Sequence, residues 1–229
     1  MGEEKINYYK VSLEEIKKLD LSHGKPKLLL HACCGPCSCF PLTFLCPYFD
    51  VTIYYGNSNI YPAEEFYRRR GELEALLGYV KRDYGFDVKL IMPEYDHEKY
   101  MEDLRPYADE PERGKRCLLC YEKRMEEAYQ YAEARGFDYF TTVMTISRQK
   151  DSLVLNKIGE KLEKKHPTVP YFHSDFKKNN GILKGAEIRK HYGLYNQTYC
   201  GCEYSLASRL AFDAKKKAEQ EAQRNDDSK

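Results

Sequence analysis

Six of the nine cysteines in this 229-residue chain fall in three close pairs: Cys33-Cys34, Cys117-x-x-Cys120 and Cys200-x-Cys202. Thiolate is a soft donor that selects zinc, copper(I) or iron–sulfur clusters, and close thiols can also cycle between dithiol and disulfide. Four thiolates complete a [4Fe–4S] cluster or a structural zinc site. Six exceed either need, so the surplus points to a second metal or a redox-active dithiol. The pairs differ in what each says alone. A lone CC can be two small hydrophobes packed in a core. The CxxC behind Arg113-Gly-Lys-Arg is stronger, but by itself it is also half a zinc site, and Cys200 is too distant to complete a local ribbon. In Cys-Gly-Cys, Gly201 lets the backbone bend so that both sulfurs face one way. Cys37, Cys39 and Cys46 read as packing residues, with Cys37 the one that could reach the site.

The elements around these pairs read as α/β. KLLLHA (27–32) is a short apolar run, the mark of a strand buried on both faces, and the first cysteine pair follows it. VTIYYGN (51–57), DVKLIM (87–92), FDYFTTVM (137–144) and TVPYF (168–172) read as further strands. A helix with Ser12 and Glu15 as capping box comes first. Others begin near Pro62, with Phe66, Leu73, Leu77 and Val80 as stripe, around Met125 to Ala132, and over 151–165. Strands alternating with helices imply a three-layer, mainly parallel sheet with helices on both faces. Beyond residue 172 a polar, glycine-containing loop leads to a helix from about Glu203, and 215–229 reads as fraying helix and solvated tail. The reading is a single domain over 1–229. Its core spans about 25–172, a C-terminal extension over 173–210 completes the metal site, and 211–229 is charged helix and tail.

In open parallel sheets ligands bind beyond the C-terminal strand ends. The first pair sits there, and the other two sit where helices begin, so all three can converge. Composition narrows the setting. With 21 Tyr, 10 Phe and net charge +1, the chain is not disordered. It has no apolar run of the roughly 18–20 residues that span a bilayer, and MGEEKINYYK has neither a signal-peptide core nor, with Ile6, a myristoylation pattern. A soluble, cytoplasmic protein without membrane association is expected, and there an odd cysteine count argues for metal or redox chemistry over disulfides.

The motifs HACCGPCS, RCLLCYEKR, FTTVMTIS, DFKKNNG and QTYCGCEYS, in that order across roughly residues 25–210, resemble the cobalamin-independent epoxyqueuosine reductases, the QueH family. The family is similar in fold to the adenine-nucleotide α-hydrolase-like (HUP) group, here with a C-terminal cysteine-bearing loop and helix. Asn196 departs from the pattern, where Arg is expected. The resemblance implies an oxidoreductase of queuosine biosynthesis, a tRNA-modifying enzyme that reduces epoxyqueuosine at the wobble position to queuosine. It implies Cys33, Cys34, Cys117 and Cys120 as ligands of a [4Fe–4S] cluster. It implies Cys200 and Cys202 as a redox-active pair that could form a reversible disulfide, and beside that stands a second reading in which the pair helps to hold an additional iron. The implied partners are tRNA carrying epoxyqueuosine and an external low-potential electron donor.

On the substrate side, Asn57 and Asn59 could hydrogen-bond the base and Tyr61 stack on it, against a plain Asn-rich turn. Arg148 and Lys150 could grip phosphate, against a solvated helix start. A tRNA patch would gather these with Lys177, Lys178 and Lys184. Arg68–Arg70 read as a solvated helix face, and His31, His97, His173 and His191 as structural histidines. Three other readings compete. A cluster-dependent tRNA sulfur transferase should carry an SGGxDS-like ATP loop, which HACCGPCS is not. A non-enzymatic zinc-binding RNA module predicts colourless protein with one zinc per chain and no reductase activity. A thiol–disulfide oxidoreductase lacks a thioredoxin-like pattern here and leaves the surplus thiols unexplained.

Overall fold

The computed structural model of the chain describes residues 6–226. At its centre is β1 (Lys27–His31), whose Leu28, Leu29 and Leu30 are fully buried. Successive strand side chains point to opposite faces. Leu28 and Leu30 accordingly join one core and Leu29 the other. β1 pairs with β2 (Asp50–Tyr54) and β4 (Tyr139–Thr142), and β3 (Lys89–Ile91) extends the edge. The order is β3-β2-β1-β4, with every pairing parallel.

Parallel neighbours require crossovers, and these supply the two outer layers. α2 (Gly35–Leu45) and α3 (Ala63–Tyr84) pack on the Leu28/Leu30 face through Leu42, Leu45, Phe66, Leu73 and Leu76. On the other face lie α5 (Lys115–Ala134) and α6 (Ser152–Glu163), packed through Met125, Ala128, Tyr129, Leu155 and Leu162. A short α4 (His97–Met101) precedes α5, and its Tyr100 and Met101 make a small core with Leu104. The three-layer, parallel α/β reading holds. No helix among the described residues is long and apolar enough to cross a membrane.

Four local expectations change. The first helix, α1 (Tyr8–Lys17), is capped by Asn7. Ser12 lies inside it, donating its hydroxyl to the carbonyls of Tyr8 (2.8 Å) and His173 (2.9 Å). The strand expected at 168–172 reduces to one bridge between Phe140 and Tyr171, because Pro170 has no N–H to give to a ladder. Residues 143–146 turn into a 3₁₀ helix, capped by Thr142 Oγ1 on the Met144 N–H. The supposed loop after 172 contains α7 (Gly181–His191). Its buried contacts are glycines: a Cβ on Gly181 would stand 2.0 Å from the Phe176 carbonyl oxygen and 2.7 Å from the Phe40 ring. With only Ile182 and Ile188 packing on the core beside these glycines, the helix has a thin hydrophobic period to read. α8 (Glu203–Asp226) starts where expected and stays helical through the stretch read as fraying, with Leu210 and Phe212 exposed. The last part of the expected tail, 227–229, lies outside the described residues.

Candidate active site

β1 ends at His31, and two residues later the chain turns into α2. Cys34 is the N-cap of that helix, and its Sγ accepts the Cys37 N–H at 3.4 Å. Cap and third helical residue face one another in this geometry, so Cys37 is brought in beside the pair. The Sγ atoms of Cys33, Cys34 and Cys37 lie within 4.8 Å of one another. The usable signal in sequence was the CxxC spacing of Cys34 and Cys37, masked by the more conspicuous CC. Among the described residues no other set of three metal-binding side chains is gathered so closely. Cys39 and Cys46 are core residues, as expected, and burial pushes both thiols up to about 12.

Cys117 and Cys120 occupy the first turns of α5. The Arg113 N–H points at Cys117 Sγ (3.3 Å), and the Tyr100 hydroxyl donates to Cys120 Sγ (3.4 Å) and to its carbonyl (3.1 Å). Cys200 and Cys202 flank Gly201 just ahead of α8, where the Ser205 N–H donates to Cys202 Sγ at 3.4 Å. Burial pushes the thiols of Cys117, Cys120 and Cys202 upward, and each is raised further by the charge of Cys200. Far apart in sequence, these four thiols share one electrostatic neighbourhood.

Two cations join that group to the trio on β1 and α2. Arg124 on α5 is 2% exposed, and its guanidinium reaches Asn57 Oδ1 (3.4 Å) and Met144 Sδ (2.8 Å), with no carboxylate paired to it. Burial opposes its charge, but Cys120, Tyr100, Cys200 and Cys33 raise its pKa. Lys150 has the same balance: burial lowers its pKa, while Cys200, Tyr121 and Cys33 raise it, for a net rise. Lys150 Nζ lies 3.6 Å from Cys200 Sγ. Within the trio, the neighbouring thiols Cys34 and Cys37, then Lys150 and Arg124, hold the Cys33 pKa well below its ordinary value. Burial and the charge on Cys33 push Cys34 up. Gln197 closes the trio from the C-terminal segment, its Nε2 2.8 Å from Cys34 Sγ and 3.5 Å from Cys37 Sγ.

A buried cation without a carboxylate is costly unless an anion faces it. The groups that face the cations are cysteine thiols, of which Cys33 is held low and the others are raised by burial, and a soft metal binds such thiols as thiolates. The donor set and the two cations therefore fit a negatively charged, thiolate-bound metal group. The trio can contribute ligands from one side and the Cys117–Cys120 helix end from the other.

The Cys-Gly-Cys segment is carried by Arg69, which corrects the reading of residues 68–70 as solvated. Arg69 is 1% exposed. Its Nε pairs with Glu65 (2.7 Å), and its terminal nitrogens donate to the carbonyls of Cys200 (2.9 Å) and Tyr199 (3.2 Å). Arg68 stacks on Tyr195 at 3.4 Å, and Arg70 pairs with Glu74 at the surface. Three consecutive residues do diverge around a helix, but one of them points into the protein. Gly201 has φ +136°, and a Cβ there would lie 3.0 Å from the Arg69 guanidinium.

The remaining candidates separate. Asn57 is buried, donating to the Ala32 carbonyl (2.7 Å) beside the cysteine pair and accepting from Arg124. Asn59 is equally buried with neither amide atom hydrogen-bonded, its Nδ2 next to Gly201. Tyr61 is exposed, its ring 5.2 Å from that of His97. Arg148 and Asn196 are exposed on the rim. Lys178 and Lys184 are exposed, but Lys177 turns inward to the carbonyls of Thr145 and Lys150, so the expected patch does not form from all five residues. Three histidines have structural partners. His31 is buried against Thr142 Oγ1 (2.9 Å), and burial with Arg124 lowers its pKa to about 3, so the ring is neutral. His97 donates to the Ser58 carbonyl, and His173 joins Glu15 to Glu160.

Known proteins resemble this chain over most of its length. The sequence model of the epoxyqueuosine reductase QueH family matches residues 28–208. An epoxyqueuosine reductase QueH of Streptococcus pyogenes serotype M1 is 37% identical over 88% of this chain and 79% of its own. One from Staphylococcus aureus (strain Mu50) is 37% identical over 90% of this chain and 86% of its own. One from Thermotoga maritima is 30% identical over 80% and 91%. None of these relatives is a sulfur transferase or a zinc-binding RNA module by name. With the match running from β1 into α8 and taking in every cysteine of the site, the chain belongs to the epoxyqueuosine reductase QueH family.

Proposed function

We propose that this protein reduces epoxyqueuosine to queuosine at the wobble position of tRNA, working in the cytoplasm as an oxidoreductase. The observation that carries the reading is the trio of cysteine sulfurs at the strand end, with buried Arg124 close by and half-buried Lys150 3.6 Å from Cys200 Sγ, in a chain of this family. In the reaction both C–O bonds of the epoxide break and a C=C bond forms. Two electrons and two protons enter, and the oxygen leaves as water. The electrons originate from an external low-potential donor.

Cys33, Cys34, Cys117 and Cys120 would hold a [4Fe–4S] cluster, with Cys37 beside them in the trio. Such a cluster passes electrons singly. Arg124 and Lys150 balance the charge of the thiolates around them. Lys150 keeps its proton and stands 3.6 Å from Cys200 Sγ, so a cation is in place wherever negative charge develops on that sulfur. Cys200 and Cys202 have two possible roles: a dithiol that becomes a disulfide as it gives two electrons, or ligands of an additional iron. On the substrate side, Tyr61 offers its exposed ring for stacking and Arg148 its charge to phosphate, while Asn59, buried with its amide unpaired beside Gly201, would meet the base only on a shift of that segment. Asn57 acts one step back, fixing the Cys33 loop and Arg124.

The test is anaerobic conversion of tRNA carrying epoxyqueuosine with a strong chemical reductant, by wild type and Cys200→Ala, each with its iron content measured. Wild type should form queuosine. The variant should keep its iron and lose multiple turnover. Absence of queuosine with fully iron-loaded wild type would overturn the reading, and full turnover by an iron-loaded Cys200→Ala would eliminate the dithiol route.

A further inference from the structure

Among the described residues, two arginines, Arg148 and Arg189, make no side-chain hydrogen bond, ion pair or ring contact. They come from different elements. Arg148 follows the 3₁₀ turn after β4, and Arg189 is in the last turn of α7. Both line the same cavity, about 210 Å³, between the start of α2 and α7. No acidic side chain lines it. Its walls include Cys37 and Gln197, and Gln197 Nε2 touches Cys34 Sγ at 2.8 Å. Two unneutralised guanidiniums therefore stand at a recess that backs directly onto the thiol trio.

We propose that Arg148 and Arg189 form a phosphate clamp that takes a backbone phosphodiester of the RNA next to the reacting nucleotide. The clamp rests on the tRNA reading above and gives it a second anchoring residue, Arg189. Planar guanidinium forks match phosphate oxygens, and two on separate elements fix the ligand's direction as well as its charge. The cavity is smaller than the roughly 300–1,000 Å³ of ordinary small-molecule sites, so it suits one group projecting from a larger ligand rather than a whole nucleotide cofactor. Ser147 and Asn196 on the same lining add polar groups without negative charge. A contact of this kind positions the strand and reads no sequence.

The experiment is binding of labelled tRNA carrying epoxyqueuosine to the anaerobically purified full chain, over a range of salt. Wild type is compared with Arg148→Ala, Arg189→Ala, the double variant, and Lys164→Ala on the opposite face of the sheet. Each arginine variant should weaken binding about tenfold, as loss of a charged hydrogen bond does. Each should also flatten the log–log salt slope by about 0.7, with iron content and melting temperature unchanged. Lys164→Ala should bind as wild type. Wild-type affinity and slope in both arginine variants would overturn the clamp while leaving the tRNA reading standing. Inorganic phosphate or a mononucleotide binding as tightly as the tRNA, and losing affinity equally in the variants, would overturn it in favour of a free-anion site. Failure of wild type to bind tRNA at all would overturn both readings.

Discussion

Cys33, Cys34 and Cys37 stand on a buried strand end and the first turn of a helix, and their placement follows from local rules: an N-cap, a third helical residue, and a core beneath them. Cys200, which is exposed, and Cys202, which is half-buried, flank a buried glycine, and the carbonyls of this turn are held from a distance, by Arg69 on α3 and by the Tyr61 N–H on the Gly201 carbonyl (2.8 Å). The trio is positioned by what precedes and follows it in the chain. The C-terminal pair is positioned by residues about 130 positions away. Such a division separates a fixed half of the site, suited to holding a metal, from a half reached by solvent and suited to exchange with a reductant or a substrate.

The strongest way to break the comparison is to remove the remote anchor. Arg69→Leu leaves the Glu65 carboxylate buried without its partner, a change worth about 3–5 kcal/mol in other proteins. Urea unfolding should show a loss of that order. A loss below about 1 kcal/mol would mean that the Cys-Gly-Cys segment holds its position without Arg69.

A smaller effect should sharpen the comparison where the C-terminal segment touches the trio. Gln197→Leu removes an N–H donor aimed at Cys34 and Cys37. Hydrogen bonds to sulfur help set cluster potentials, and losing one disfavours the more negative, reduced state. The iron content of the variant should match wild type, while its reduction potential, measured by redox-poised EPR, moves to more negative values. An unchanged potential would make Gln197 a packing residue only.

The smallest effect lies away from both halves. Burial opposes charge on His173, but Glu15 and Glu160 raise its pKa above the ordinary value. A raised pKa stabilises the fold fully below the unfolded value, about 6.5, and that contribution is lost as pH rises through the folded value. Wild type should thus melt above His173→Gln at acidic pH, by a difference that narrows with rising pH through neutrality. A difference constant with pH would show that the ring contributes by packing alone, against Tyr8 and Tyr171.

How much of this was legible depended on whether the signal was local. Four of the five expected strands, the crossover helices and the turn after β1 follow from apolar runs and from Gly and Pro, while the run at 168–172 keeps a single bridge. The cysteine pairs were visible by their spacing. Cys37 entered the site through cap geometry that a pattern of pairs does not display. Arg69 sits between two solvated-looking arginines, and only the fold shows that its direction meets the Tyr199 and Cys200 carbonyls. α7 was missed because its fully buried positions are glycines, leaving only Ile182 and Ile188 as apolar packing residues. Asn59 was visible as a polar residue in the right loop, but its lack of any partner is a property of the packed structure.

The central claim is that these separated thiols serve one iron–sulfur centre. Its most direct test is the iron, acid-labile sulfide and zinc content of anaerobically purified protein, with EPR before and after dithionite, for wild type and Cys33→Ser. The account expects brown wild type with about four irons and four sulfides per chain, EPR-active on reduction, and a Cys33→Ser variant that loses most of its iron. Iron in excess of sulfide would assign Cys200 and Cys202 to an additional metal. Colourless wild type holding one zinc, after attempted cluster reconstitution, would contradict the claim.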